Sequence, residues 1–290
     1  MTEAISAWFT GVAELITDKI KDMLIECCTG IYNPMFIGVN EKINEASIVL
    51  NKSPSAWSSN VFGVIESISE TVIVPIAGLI VTYVFCYELI NLVVESNSMK
   101  IVKVSDVMLI LIKASVAIMV FSNSFKIIMA FFDVGNYITG KVSSSSVSIG
   151  ETVDISSVLA SESIPTLIGA VGLLLLAWLI SFVLSIAIFV AVNTWFLEIY
   201  VYSSVAAIPF ATFLNKEWGQ IGYNYTRRIM ALAFQSFFML ICLMIYSTRL
   251  VDVVEGNLID TLIEIVGGSV ILAFMLFKCG NISNSIFNAH

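Results

Sequence analysis

The sequence predicts an all-α membrane protein: a polytopic bundle of spanning helices preceded by an amphipathic helix. Three observations carry that reading. Of its 290 residues 58% are hydrophobic and only 12% charged, where a soluble domain carries about 25% charged residues. Mean hydropathy is +0.94. The apolar residues also gather into runs near the ~20 residues that a helix needs to cross a bilayer. No water-facing shell can be built from such a chain, so lipid must solvate much of its surface.

Residues 2–28 read as the amphipathic helix, with Thr2 as its N-cap. Ile5, Trp8, Phe9, Val12, Leu15, Ile16, Ile20, Met23, Leu24 and Cys27 recur at steps of three and four. Glu3, Ser6, Thr10, Glu14, Asp18, Lys21 and Asp22 fill the other face, and Gly30 and Pro34 are expected to close the helix. Its polar face is too charged to span. Trp8, Phe9, Val12 and Ile16 are therefore expected on the membrane surface or on a partner helix, with packing on the chain's own bundle as the alternative. Glu3, Glu14 and Asp18 interrupt any secretory signal. Residues 1–60 form this external helix and a connector, and 61–290 form the transmembrane domain.

The first spanning helix is expected at 71–94, about 36 Å long. The second follows at 107–132 and contains Lys113 and Lys126. A polar loop over 133–163 leads to the most apolar segment, 164–192. Asn193 and Thr194 then separate a further run, 195–214, which holds Glu198, Ser203, Ser204 and Pro209. Residues 215–228 are polar and basic, with Lys216, Trp218, Arg227 and Arg228. The last two spans are expected at 229–248 and 262–278.

Basic residues mark the cytoplasmic side. If 195–214 dips into the bilayer and returns, there are five crossings plus a re-entrant segment. Lys100, Lys103, Lys216, Arg227, Arg228 and Lys278 then all face the cytoplasm, with the N-terminus outside. The alternative is six full crossings. Broken helix at membrane depth is tolerated where protein buries it or water wets it.

Charges inside spans are costly and tend to be paired or functional. Glu88 and Lys113 fall at one depth in the first hairpin and are expected to form an intramembrane ion pair. Glu198, Ser203, Ser204 and Pro209 are candidates for lining a channel or touching another subunit. Lys216, Trp218, Arg227 and Arg228 are candidates for a cytoplasmic partner contact, ordinary positive-inside anchoring being the alternative. Enzyme chemistry has little support: the one histidine is His290, and no nucleophile–histidine pair, metal motif or glycine-rich phosphate loop is present. No metal or cofactor is expected. The five cysteines have no zinc or disulfide spacing. A net charge of −8 argues against a large nucleic-acid surface.

The stretch 203–240, SSVAAIPFATFLNKEWGQIGYNYTRRIMALAFQSFFMLI, has an apolar segment ending in a small-residue, proline and aromatic turn. An aromatic-bearing polar linker and a new apolar helix follow. With Ala207, Pro209, Phe210, Trp218 and the run Ala231 to Phe238, it resembles the TrbL-type (VirB-six-like) conjugal transfer proteins, the polytopic membrane subunit of type IV secretion systems. The resemblance implies a non-enzymatic channel scaffold in the cytoplasmic membrane of a Gram-positive conjugative system. It implies partnership with copies of itself, other channel subunits, secretion ATPases and a coupling protein. Its cargo would be single-stranded DNA bound to relaxase, in transient contact with the chain. Two rivals are a stand-alone small-molecule transporter, which should show an internal repeat, and a membrane-lytic protein acting through the 2–28 helix.

Overall fold

The computed structural model describes residues 2–96, 104–143, 155–215, 218–252 and 258–289, and every regular element among them is helical. The helices are α1 (Thr2–Leu50), α2 (Pro54–Trp57), α3 (Ser59–Ile68), α4 (Val74–Ser96), α5 (Val104–Ser122), α6 (Ser124–Ser143), α7 (Ser156–Ser161), α8 (Ile164–Ser204), α9 (Ala207–Ala211), α10 (Gly219–Asp252) and α11 (Leu258–Ile286). Among the described residues five stretches are long and apolar enough to cross a membrane: Ser59–Val94, Val104–Ser122, Ile164–Ala211, Gly219–Thr248 and Leu262–Ile286.

Helix boundaries depart from the sequence reading at three places. Gly30 and Pro34 do not end α1, which runs on to Leu50 through most of the expected connector. Cys28, Tyr32, Met35, Phe36, Val39, Ile43 and Ala46 form one buried stripe on both sides of the proline. Each large apolar side chain buried there contributes about 1.5–3 kcal/mol, and together they outweigh the ~3 kcal/mol that an interior proline costs.

The expected second span, 107–132, is two helices. Asn123 separates α5 from α6, its side-chain N–H donating to the Met119 carbonyl at 2.9 Å and competing with the backbone ladder. Beyond that break α6 buries Phe125, Ile128 and Phe132 while Lys126, Asp133 and Lys141 stay exposed.

The expected break at Asn193 and Thr194 is absent. α8 continues to Ser204, and the ladder opens only at Val205 and Ala206, four and three residues before Pro209. A proline there lacks the N–H that would bond to Val205 and its ring crowds that carbonyl. The run 195–214 is thus divided: 195–204 extends the third span, and the interruption shrinks to α9 and a 3-10 turn over Thr212–Leu214. That leaves five candidate spans rather than six. A π-helical turn, Ser69–Ile73, precedes Pro75 and accommodates another missing donor.

The chain forms two compact units. The first comprises residues 1–47, 146–190 and 241–277. In it Lys21 Nζ donates to the Ala160 carbonyl at the end of α7 (2.8 Å). Tyr246 and Ser269 share a hydroxyl hydrogen bond of 2.7 Å between α10 and α11. Buried Tyr32, whose hydroxyl is pushed up to about 12 by desolvation, stacks on Phe36. The second unit comprises 48–145, 191–240 and 278–290. There α9 packs on α4 and α5, and Thr139 of α6 bonds to Ser236 of α10 at 3.1 Å. Ser283 of α11 donates to the Ala231 carbonyl of α10.

Close helix approach in the second unit rests on Gly135, where an added Cβ would collide with the Ala233 carbonyl oxygen. Gly135→Ala should therefore lower stability by about 1–3 kcal/mol. Gly169→Ala meets nothing within 4 Å and should be neutral or slightly stabilising. Thermal unfolding of the two variants in detergent checks the contrast.

Candidate functional site: the α8–α10 hairpin

The candidate residues converge where the end of α8 meets the start of α10. Val192, Trp195, Phe196, Ile199 and Tyr200 make a buried helical stripe that carries α8 past the polar pair at 193–194. Trp195 Nε1 donates to the Leu232 carbonyl at 2.9 Å. Phe196 stacks on Trp57, with ring centroids 4.8 Å apart and planes 8° apart. Tyr200 donates its hydroxyl to the Pro54 carbonyl at 2.6 Å.

One turn along, Glu198 Oε2 lies 3.8 Å from Arg228 Nη2. Next, Arg228 Nε donates to the Tyr202 hydroxyl at 3.2 Å, and its guanidinium lies 5.4 Å from the centroid of that ring. Tyr225 then donates its hydroxyl to the Tyr202 carbonyl. Each step toward the C-terminus of α8 meets a matching step toward the N-terminus of α10. The two segments are therefore antiparallel, and residues 205–218 join them at one end of the hairpin.

Two groups of residues separated in the sequence reading are thus one site: Glu198, a channel or subunit candidate, is the ion partner of Arg228, a cytoplasmic candidate. The pair neutralises charge at this depth, and the cation–π contact and hydrogen bonds hold the guanidinium in place. The serines do other work. Ser203 is fully buried and donates to the Ile199 carbonyl, and Ser204 donates to Val201, so both hydroxyls are used by α8 itself. Pro209 breaks the helix, and its carbonyl accepts from Thr212 at 2.7 Å.

The linker is fixed by aromatic packing. Trp218 lies nearly parallel to Tyr83 and Tyr87 of α4, centroids 5.7 and 5.8 Å away. Its backbone N–H donates to Asn215 Oδ1 at 3.1 Å, just before α10 begins. Phe210 meets Phe213 and Tyr225, and Phe213 meets Tyr223. Gly222 lets Pro209 and Phe213 close on α10: a Cβ there would lie 2.8 Å from the Pro209 carbonyl oxygen. Arg227 is exposed. Lys216 lies outside the described residues.

The remaining candidates stand apart from this hairpin. No ion pair joins Glu88 to Lys113 within the chain: Lys113 is exposed and Glu88 half-buried. Trp8, Phe9, Val12 and Ile16 are exposed on α1, with Trp8 and Phe9 in an edge contact. Among the described residues no group of three or more His, Cys, Asp or Glu could hold a metal ion.

Sequence reasoning missed Tyr202, Tyr225, Gly222 and Trp57. Only Gly222 left a local signal, as a glycine inside a helical run; the others matter through partners far along the chain.

A family model described as TrbL/VirB6 plasmid conjugal transfer like protein matches residues 39–207. The match ends just after the stretch 203–240 begins, so it lies almost wholly outside the residues on which the resemblance was first seen. No curated protein and no solved structure matches the chain.

Removing the Glu198–Arg228 pair should be tolerated, because both side chains are a third exposed. A double-mutant cycle with Glu198→Gln and Arg228→Gln should give a coupling of at most about 1 kcal/mol. Trp195→Phe, which removes the indole hydrogen bond to the Leu232 carbonyl, should cost about 0.5–1.5 kcal/mol. Unfolding in detergent measures both.

Proposed function

Since the chain belongs to the TrbL/VirB6 plasmid conjugal transfer-like family, we propose that it is a channel scaffold of a type IV secretion machine, passing DNA–protein substrate across the cytoplasmic membrane. The observation that carries the reading is the extent of the match. Residues 39–207 begin inside α1 and run through the first two candidate spans and nearly all of the third. The shared part is therefore membrane-embedded body rather than an appended soluble module.

In this reading the N-terminus is external and the C-terminus cytoplasmic, following the basic residues. The linker of the α8–α10 hairpin then faces the cytoplasm with Lys216, Trp218, Arg227 and Arg228, where it meets the secretion ATPases and the coupling protein. The stacking of Trp218 on Tyr83 and Tyr87 holds this linker in place while partners dock. Copies of the chain assemble around the conduit with other channel subunits. DNA or relaxase touches them only in passage. ATP is hydrolysed by the partners, and this chain supplies no catalytic group.

Deleting the gene from a donor cell should abolish plasmid transfer, and a wild-type copy should restore it; undiminished transfer overturns the function. Asn224, exposed near the start of α10, tests the orientation. In a background without native cysteines, Asn224→Cys should resist an impermeant thiol reagent in intact cells and react after permeabilisation. Labelling from outside reverses the topology.

A further inference from the structure

Lys113 occupies the middle of α5, nine residues from Val104 and nine from Ser122. At 1.5 Å per residue that is about 13 Å from either end, in a helix apolar and long enough to span. The side chain is exposed, beside the buried stripe Ile110, Ala114, Ala117 and Phe121. A lysine near a helix end can snorkel to the interface; one at the midpoint cannot, and a charge facing hydrocarbon there is among the costliest arrangements a span can adopt.

Glu88 carries the opposite charge. It stands eight residues before the end of α4, half-buried, and continues the stripe Ala77, Val81 and Val84. α4 and α5 pack on each other and are separated by only seven residues, so they run antiparallel. Glu88 and Lys113 therefore lie at one height, each measured from the connected ends. Neither has an ion partner in its own chain among the described residues.

We propose that the two charges are matched between copies: Glu88 of one chain pairs with Lys113 of the next, making the α4–α5 face the subunit contact. This deepens the scaffold reading and rests on it. Charge complementarity at equal depth selects the occupant. Lipid leaves both charges unmatched, and a foreign helix supplying an acid to Lys113 still leaves Glu88 without a cation. Further copies repeating this one contact satisfy both, each chain's Glu88 meeting one neighbour and its Lys113 the other. Because two different surfaces of the chain meet, the contact is heterologous and closes into a ring when its rotation allows. Such a ring holds its charges away from lipid at every subunit boundary.

The test uses the full-length chain in a cysteine-free background, with two differently tagged copies expressed together. One carries Glu88→Cys, the other Lys113→Cys. Oxidation in the membrane should join the two tags by a disulfide. Met119→Cys, exposed about 120° round α5 from Lys113, should cross-link at least tenfold less when it replaces Lys113→Cys. As a second measurement, Lys113→Glu alone should cut recovery of the oligomer at least tenfold, and Lys113→Glu with Glu88→Lys should restore it. A ring-sized mass without the cross-link, or a disulfide found only within one chain carrying both cysteines, overturns this contact and leaves the scaffold standing. A monomeric mass for the unmodified protein overturns both.

Discussion

Trp195 donates its indole N–H to the carbonyl of Leu232, and that bond sets where the end of α8 sits on α10. A polar group buried away from water must find a partner or cost its full desolvation, so the indole tolerates little sliding of one helix along the other. The Glu198–Arg228 pair and the Tyr225–Tyr202 bond fall at successive turns in the same register. Phe196 and Tyr200, on the same stripe of α8, tie it to Trp57 and Pro54. In lipid, packing and internal polar bonds replace the hydrophobic drive between helices, which is why a few such bonds decide the arrangement.

The same requirement explains how the helix breaks are tolerated. Pro75, Asn123 and Pro209 each interrupt the backbone ladder in or beside an apolar stretch, and in each case neighbouring groups take up part of what the ladder loses. A π-turn bond from Val74 to Ser69 spans the first. Asn123 reaches back to Met119 at the second. At the third, bonds to the third preceding carbonyl tighten the turn, and Thr212 and Asn215 complete it. Ala206, Ala207, Phe210 and Ala211 are all buried there, so this irregular stretch is covered by protein, the condition under which a membrane protein can keep it.

Charge follows a complementary rule. Arg228 is held by a carboxylate and an aromatic ring on a helix thirty residues back in the chain. Lys113 has no such arrangement among the described residues of its chain. A protein can solve one of these problems internally and leave the other for assembly, because assembly places new side chains against faces that the single chain leaves open.

Much was legible in the residues alone. Low charge and long apolar runs determined an all-α membrane bundle with five candidate spans among the described residues, because hydropathy and helical period are local properties. Pro209 was readable as the point of interruption for the same reason. Tertiary structure alone decided that α1 passes through Pro34, that α8 survives Asn193 and Thr194, and that Glu198 belongs to Arg228. Each depends on which surfaces meet across tens of residues. Packing energy summed over a stripe exceeds the single-residue preferences that a sequence displays, and no local pattern records where a distant partner will lie.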